Sequence, residues 1–273
     1  MRLPLLLHAL TRPDRVFANP ALAERLARPL LVPLLLLALF LPYAAGQRLV
    51  TGYYENPYMS TLAAMEVESR IDSLMIGAPP EARAQAKERM LRTLLGGQGV
   101  VFRTISVLLA SLFFLLLAAE AWLVHSVLAQ FFGGQETRLP GGRRPSLLLF
   151  LTAFLPLALR KLLEGVLMAA KNPALAADAL SVEEYRRLSR VSFSFLDRFL
   201  PAVGRPPLPP LVHSLLGILT DPFFLWLLFL LTVGGREVYR VRLRGALAMA
   251  ALLLALIALQ VGLLARLGIR WEI

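Results

Sequence analysis

The chain of 273 residues has no cysteine, which excludes disulfide bonds and thiolate metal sites. Lysine is rare, so the net charge of +11 comes almost entirely from arginine. The three histidines are isolated, and none belongs to a His-Glu-x-x-His metalloprotease motif. They are His8, His125 and His213. These absences predict a protein without a bound metal.

Motifs for acyl transfer and phosphate binding are also missing. The chain has no Gly-x-Ser-x-Gly elbow and no Walker sequence. Four glycine pairs occur, which we interpret as helix ends rather than phosphate-binding loops. They are Gly96-Gly97, Gly133-Gly134, Gly141-Gly142 and Gly234-Gly235. The sequence therefore predicts a protein that is not an enzyme and has no cofactor.

Long apolar runs dominate what is present. Apolar residues make up 57% of the chain, and the mean hydropathy is +0.64. A membrane-spanning helix needs ~20 apolar residues. Blocks rich in Leu, Ala and Phe exclude a β-barrel, whose strands alternate apolar and polar residues. The runs cover 29–46, 100–130, 146–169, 211–234 and 245–265. We predict an all-α, polytopic transmembrane bundle of five spans in a single membrane domain, 1–273.

Arginine placement predicts the orientation. Positive charge concentrates in the lead-in 1–28 and in the short loops 131–145 and 235–244. Two predicted spans separate each of these segments from the next, so all three can lie on the cytoplasmic side. The loop arginines are Arg138, Arg143, Arg144, Arg236, Arg240, Arg242 and Arg244. The long loops 47–99 and 170–210 then lie outside, so the N-terminus is inside and the C-terminus outside. Arginines beside apolar runs predict contact with anionic lipid or a partner protein, and no nucleic acid.

The segments between the spans have helical signals of their own. Residues 3–26 predict short helices lying on the membrane surface. Residues 59–95 predict an outer helical hairpin, in which the second helix begins near Pro80. Ser181 and Glu184 form a capping-box signature. They predict an outer surface helix with one face formed by Leu188, Val191, Phe195 and Phe199.

Ionisable side chains within the apolar runs are the candidate functional residues, because such groups are costly at membrane depth. They are Glu120, His125, Arg160, Lys161, Glu164 and Asp221. Arg160 and Glu164, four residues apart, share a helix face. Asp221 has two interpretations: an ion pair with Arg160 or Lys161, or the N-cap of a helix that begins at Pro222. Alternatively, the third span ends near Leu159 and both cations reach the interface.

Two stretches together resemble a known family. Residues 121–134 read AWLVHSVLAQFFGG, and residues 219–226 read LTDPFFLW before continuing to Gly234-Gly235. A His-containing helix that ends in Gly-Gly, followed by an Asp-x-Phe-x-x-Trp fourth span, resembles bacterial members of the Yip family, the five-span Ypt/Rab-interacting proteins. Residues 11–17 also resemble the cytoplasmic lead-in of this family, and residues 78–83 resemble the start of its outer helix. The charged segment 160–164 departs from the family's mostly apolar third span.

The resemblance implies a five-span membrane protein; eukaryotic members act in vesicle traffic and contact small GTPases. We therefore expect a membrane scaffold or adaptor in the bacterial inner membrane that acts through helix packing and its basic cytoplasmic face. The alternative is a small transporter or channel-like protein for an ion, lipid or small solute. That alternative would use Glu120, Arg160, Glu164 and Asp221. The Gly/Ala face of span 5 permits close helix contact within the bundle or in a homo-oligomer.

Overall fold

The computed structural model describes residues 3–29, 31–96, 100–132, 143–171, 181–189, 191–193 and 219–266. Within these ranges the regular secondary structure is helical and no strand occurs, which confirms the all-α prediction. The helices are α1 (Leu3–Thr11), α2 (Pro13–Phe17), α3 (Pro20–Leu26), α4 (Leu31–Tyr54), α5 (Pro57–Leu74), α6 (Pro80–Gly96), α7 (Val100–Phe132), α8 (Arg143–Ala170), α9 (Val182–Ser189), α10 (Pro222–Tyr239) and α11 (Leu243–Arg266).

Four of these helices are long and apolar enough to cross a membrane. The spans are Leu31–Tyr54, Arg103–Phe132, Arg144–Ala170 and Pro222–Tyr239. The last helix contributes a shorter apolar stretch, Leu243–Ile257. The fourth span differs from the predicted 211–234, because Asp221 interrupts the helix and α10 begins at Pro222. The predicted residues 211–218 lie outside the described part of the chain.

The chain divides into two compact units. Unit 1 comprises Met1–Tyr43, Phe113–Arg160 and Phe193–Ile273. Unit 2 comprises Ala44–Leu112 and Lys161–Ser192.

Helix α8 forms the centre of the core of unit 1. Its side chains at 148–150 and at 153 and 154 are at most 1% exposed. Gly234 and Gly235 of α10 lie inside the helix and are buried, so interpreting this glycine pair as a helix end was wrong. A Cβ on Gly234 would clash with Leu149, and one on Gly235 would lie 3.1 Å from Cε1 of His125. The two glycines therefore allow neighbouring side chains to approach the α10 backbone closely.

The lead-in helices pack on protein as well as carrying surface residues. Val16, Phe17, Ala23 and Leu26 are almost completely buried, and α2 contacts α10. The Asn19 side chain caps α3 by accepting a hydrogen bond from the backbone N–H of Leu22 at 3.1 Å. The predicted short helices are present, and part of their apolar face is buried within unit 1.

Unit 2 contains the predicted helical hairpin. The Asn56 side chain caps α5 by accepting from the backbone N–H of Met59 at 3.0 Å. Helices α5 and α6 pack against each other, and Nζ of Lys87 on α6 lies 2.9 Å from Glu68 and 3.2 Å from Asp72 on α5. These exposed carboxylates raise the pKa of Lys87.

The capping signal at Ser181 is confirmed, since its Oγ accepts from the backbone N–H of Glu184 at 3.1 Å. Helix α9 is shorter than predicted: it ends at Ser189, and residues 191–193 are not helical. Val191 therefore does not extend the helix face, and Phe195 and Phe199 lie outside the described residues.

Candidate functional site

Asp221 performs both of the roles that the sequence left as alternatives. Its Oδ1 accepts a hydrogen bond from the backbone N–H of Phe223 at 2.8 Å and so caps α10. Its Oδ2 accepts from Nε of Arg160 at 2.7 Å. The side chains of Asp221 and Arg160 are only 4% and 14% exposed. One carboxylate therefore fixes the start of α10 and joins it to α8.

Arg160 lies inside a continuous helix, since α8 runs on to Ala170. The helix itself therefore does not end near Leu159. The guanidinium Cζ lies 5.6 Å from the ring centroid of Phe193, a cation–π distance, and Phe193 meets Phe223 edge to face at 5.4 Å. No sequence signal indicated Phe193, because its role depends on tertiary contacts with Arg160 and Phe223.

Glu164 pairs with the neighbouring cation on the same helix. Within unit 2, Nζ of Lys161 donates to its Oε2 at 3.2 Å, and both side chains are less than 10% exposed. The pair lies three residues apart on α8. Lys161 is therefore the partner of Glu164, not of Asp221.

The Lys161–Glu164 pair lies beside a tight helix crossing. A Cβ on Gly46 of α4 would clash with the backbone carbonyl of Lys161. A Cβ on Gly165 of α8 would lie 2.5 Å from the carbonyl oxygen of Gly46. Two glycines thus bring the α4 and α8 backbones into direct contact, the small-residue packing that membrane helices favour.

His125 is completely buried in unit 1, with 0% exposure. Its ring lies 5.1 Å from Phe150 of α8 and 5.3 Å from Tyr239 of α10, measured between centroids. Neither ring nitrogen has a hydrogen-bond partner among the described residues. Glu120, the other candidate on α7, is partly buried. His125 thus packs α7 against α8 and α10 through ring contacts.

A buried hydroxyl network next to His125 was not predicted. Nε1 of Trp122 donates to Oγ of Ser146 at 2.9 Å, and Ser146 hydrogen-bonds the hydroxyl of Tyr239. The Tyr239 hydroxyl also lies 3.3 Å from Oγ of Ser126. The network joins α7, α8 and α10 through side chains that are far apart in sequence. Trp122 within an apolar run was the one available signal, since buried indole N–H groups usually find an acceptor.

The tyrosine-rich end of α4 packs in unit 2 around Tyr185 of α9. Nδ2 of Asn56 donates to the Tyr185 hydroxyl at 2.7 Å, and the Tyr185 ring contacts Tyr53, Tyr54 and Tyr58. Tyr185 is fully buried, and desolvation raises the pKa of its hydroxyl. These four tyrosines therefore form one aromatic cluster in unit 2.

The described arginines of the two short loops lie where α8 begins, α10 ends and α11 begins. We call them the arginine surface: Arg144, Arg236, Arg240, Arg242 and Arg244, all exposed. Arg144 pairs with Glu24 at 3.1 Å, and Arg236 with Glu237 at 3.3 Å. The Arg143 backbone begins α8, whereas Arg138 lies outside the described residues.

A small cleft of about 90 Å³ opens beside the arginine surface, within unit 1. It is lined by Phe17, Ala18, Pro20, Ala23, Pro145, Glu237, Val238 and Arg240. The lining comes from the lead-in helices, the start of α8 and the end of α10, so these elements meet at one end of the unit. Among the described residues no group of three His, Cys, Asp or Glu side chains is arranged to hold a metal ion.

Long apolar helices, joined by the buried Arg160–Asp221 ion pair and by close glycine contacts, define an integral membrane protein of the helical class. Residues 7–264 match the family model of the Yip1 domain. The chain therefore belongs to the Yip family, as its sequence predicted. Neither a curated protein nor a solved structure matches the chain.

Proposed function

We propose that this Yip-family protein is a non-enzymatic scaffold or adaptor of the bacterial inner membrane, and that its arginine surface binds anionic lipid on the cytoplasmic side. The proposal takes the chain as a single membrane domain with five spans, the N-terminus inside and the C-terminus outside. The observation that carries it is the exposed cluster of five arginines at one end of unit 1.

Three arginines of the cluster have no carboxylate partner in the described part of the chain. Arg240, Arg242 and Arg244 form no ion pair with any described residue, whereas Arg144 and Arg236 each have a carboxylate partner. Each arginine near an anionic membrane surface contributes ~1 kcal/mol of attraction. The unpaired arginines adjoin the ends of α10 and α11, where phosphate headgroups would lie if these helices span the membrane.

The contacts of the intramembrane ionisable groups favour a scaffold over a transporter. Asp221 uses one oxygen for the α10 cap and the other for Arg160, while Lys161 pairs with Glu164. The Asp221 contacts stabilise the packing of α10 on α8, and the Lys161–Glu164 pair lies within α8. A transport relay would need such groups to exchange partners with an ion or solute.

Lipid retention tests the proposed surface. The protein is purified in detergent and titrated with phosphatidylglycerol or phosphatidylcholine of identical acyl chains, and bound lipid is counted by native mass spectrometry. Wild type should prefer phosphatidylglycerol. The double variant Arg242→Gln/Arg244→Gln should lose about thirtyfold in phosphatidylglycerol affinity, which corresponds to ~1 kcal/mol per arginine.

The matched control is Arg70→Gln/Arg186→Gln, which removes two exposed arginines from unit 2. It should retain the lipid preference of wild type. Equal losses in the two double variants would contradict a specific arginine surface.

A flux measurement tests the alternative. Proteoliposomes with wild-type protein should show the same ion and solute leakage, and the same lipid scrambling, as empty vesicles. Flux in wild type that falls in Asp221→Asn would instead establish a transporter.

A further inference from the structure

Arg240 has an unusual backbone conformation. It follows the last residue of α10 with φ 51°, in the left-handed region, and is the one non-glycine residue with positive φ among the described residues. That region costs a residue with a Cβ roughly 1–2 kcal/mol, and the position after a helix usually holds Gly or Asn. A strained residue at a surface cleft is a reason to look for a binding role.

The charge of Arg240 is available for a ligand. The guanidinium has five N–H donors, yet it forms no ion pair or hydrogen bond with the part of the chain that the structure describes. The other charged residue that lines the cleft is Glu237, whose Oε1 lies 3.3 Å from Nε of Arg236. The cleft therefore combines a compensated carboxylate with an uncompensated cation.

The other six lining residues have apolar side chains, of which Ala18 and Pro20 are exposed and the remaining four are buried. A cation beside an apolar cleft fits a ligand that joins an anionic group to an apolar body. A phospholipid has this chemistry, because its phosphodiester sits directly on the glycerol and acyl chains. The unpaired Arg242 and Arg244 nearby favour a headgroup with net negative charge.

We propose that this cleft is a binding site for one anionic phospholipid, with Arg240 holding the phosphodiester and the exposed Ala18 and Pro20 contacting the glycerol region. This inference rests on the proposed function, because it assigns one defined site within the arginine surface. An anion on Arg240 is bound by charge-assisted hydrogen bonds, which are stronger than the diffuse attraction of an exposed arginine.

The test is titration of the full-length protein with phosphatidylglycerol, followed by native mass spectrometry. Arg240→Asn removes the charge but tolerates the left-handed backbone. This substitution should lower the affinity for the first phosphatidylglycerol molecule by about thirtyfold, as expected for the loss of a hydrogen-bonded charged group. Arg242→Asn, in the same loop but outside the cleft lining, should cost about fivefold, corresponding to one arginine near the surface. Arg240→Gly, which also suits the left-handed backbone, should give the same loss as Arg240→Asn.

A steric variant tests the cleft itself. Ala18 is exposed at the cleft, so Ala18→Leu fills the space without altering charge or core. Ala18→Leu should lower the affinity for the first phosphatidylglycerol molecule at least as strongly as Arg240→Asn does. Ala18→Ser should bind the lipid as wild type does.

The outcomes separate this inference from the proposed function. If Arg240→Asn and Arg242→Asn have equal effects and the preference for phosphatidylglycerol is intact, the cleft is not a specific lipid site. The proposal that the arginine surface binds anionic lipid would still hold. If millimolar inorganic phosphate displaces the lipid, the cleft is a site for free phosphate, and the proposal of a phospholipid site is wrong. Equal binding of phosphatidylglycerol and phosphatidylcholine by wild type would overturn both.

Discussion

At the scale of single residues, Asp221 shows how one side chain can be needed for two reasons. The cap requires only a hydrogen-bond acceptor, which an amide oxygen also supplies. The contact with Arg160 requires negative charge, because a guanidinium at 14% exposure is costly without a counter-ion. Substitutions that differ only in charge or only in capping can therefore separate the two contributions.

We expect Asp221→Asn to keep the cap and lose the ion pair. Removing one partner of a buried pair destabilises a protein by about 3–5 kcal/mol. Asp221→Ala should lose a further ~1 kcal/mol, because the N–H of Phe223 then has no side-chain acceptor. Thermal unfolding in detergent should rank wild type first, Asp221→Asn second and Asp221→Ala last.

The control for this series is Glu24→Gln, which removes an exposed ion pair with Arg144 and should change stability by less than about 1 kcal/mol. The double variant Arg160→Leu/Asp221→Asn should recover part of the loss, since no charge is left unpaired. If Asp221→Asn unfolds at the wild-type temperature, the ion pair contributes no stability.

At the scale of helices, Gly46 and Gly165 bring the backbones of α4 and α8 into contact in unit 2. We expect Gly46→Ala to destabilise the protein by about 1–3 kcal/mol or more, because the added methyl meets the Lys161 carbonyl. Gly165→Ala should behave similarly. Thermal unfolding measured by circular dichroism gives the comparison.

Gly52 offers a matched control on the same helix, since a Cβ there meets nothing within 4 Å. Gly52→Ala should leave stability unchanged or raise it by up to about 1 kcal/mol through helix propensity. Equal effects at positions 46 and 52 would show that the close crossing is not formed.

The packing of α9 should make stability sensitive to alkaline pH. Burial raises the pKa of Tyr185 in the folded protein, so the unfolded chain releases this proton first as the pH rises above about 10. Stability should therefore fall above that pH, and Tyr185→Phe should reduce the fall. Unfolding temperatures between pH 8 and pH 11 test this, with Tyr58→Phe as the control; identical slopes in wild type and Tyr185→Phe would contradict it.

Local signals predicted the helix starts well, because a cap depends on a few adjacent residues. Ser181 and Asp221 both cap the helices that the sequence assigned to them. Partners remote in the chain were predicted poorly. The Ser146–Tyr239 contact and the Phe193 ring depend on which helix faces meet, and one sequence does not show that. Gly234-Gly235 was misread because glycine serves both helix ends and close packing.

At the scale of the whole molecule, the number of membrane crossings depends on α11. The helix has 24 residues and is about 36 Å long at 1.5 Å per residue, which exceeds a hydrocarbon core of ~30 Å. Its described apolar stretch, Leu243–Ile257, is shorter. The length of α11 supports the prediction of five spans. Whether the C-terminus lies inside or outside the cell distinguishes four crossings from five.

The lack of cysteine makes this topology directly measurable, since any introduced cysteine is the only thiol. We expect a membrane-impermeant maleimide to label Gln85→Cys, exposed on α6, in intact cells. Arg242→Cys, exposed before α11, should be labelled only after lysis, because positively charged loops stay inside. A cysteine added after Ile273 should be labelled in intact cells if α11 crosses the membrane. Labelling of that cysteine only after lysis, with the other two results unchanged, would mean four crossings and place α11 on the cytoplasmic surface.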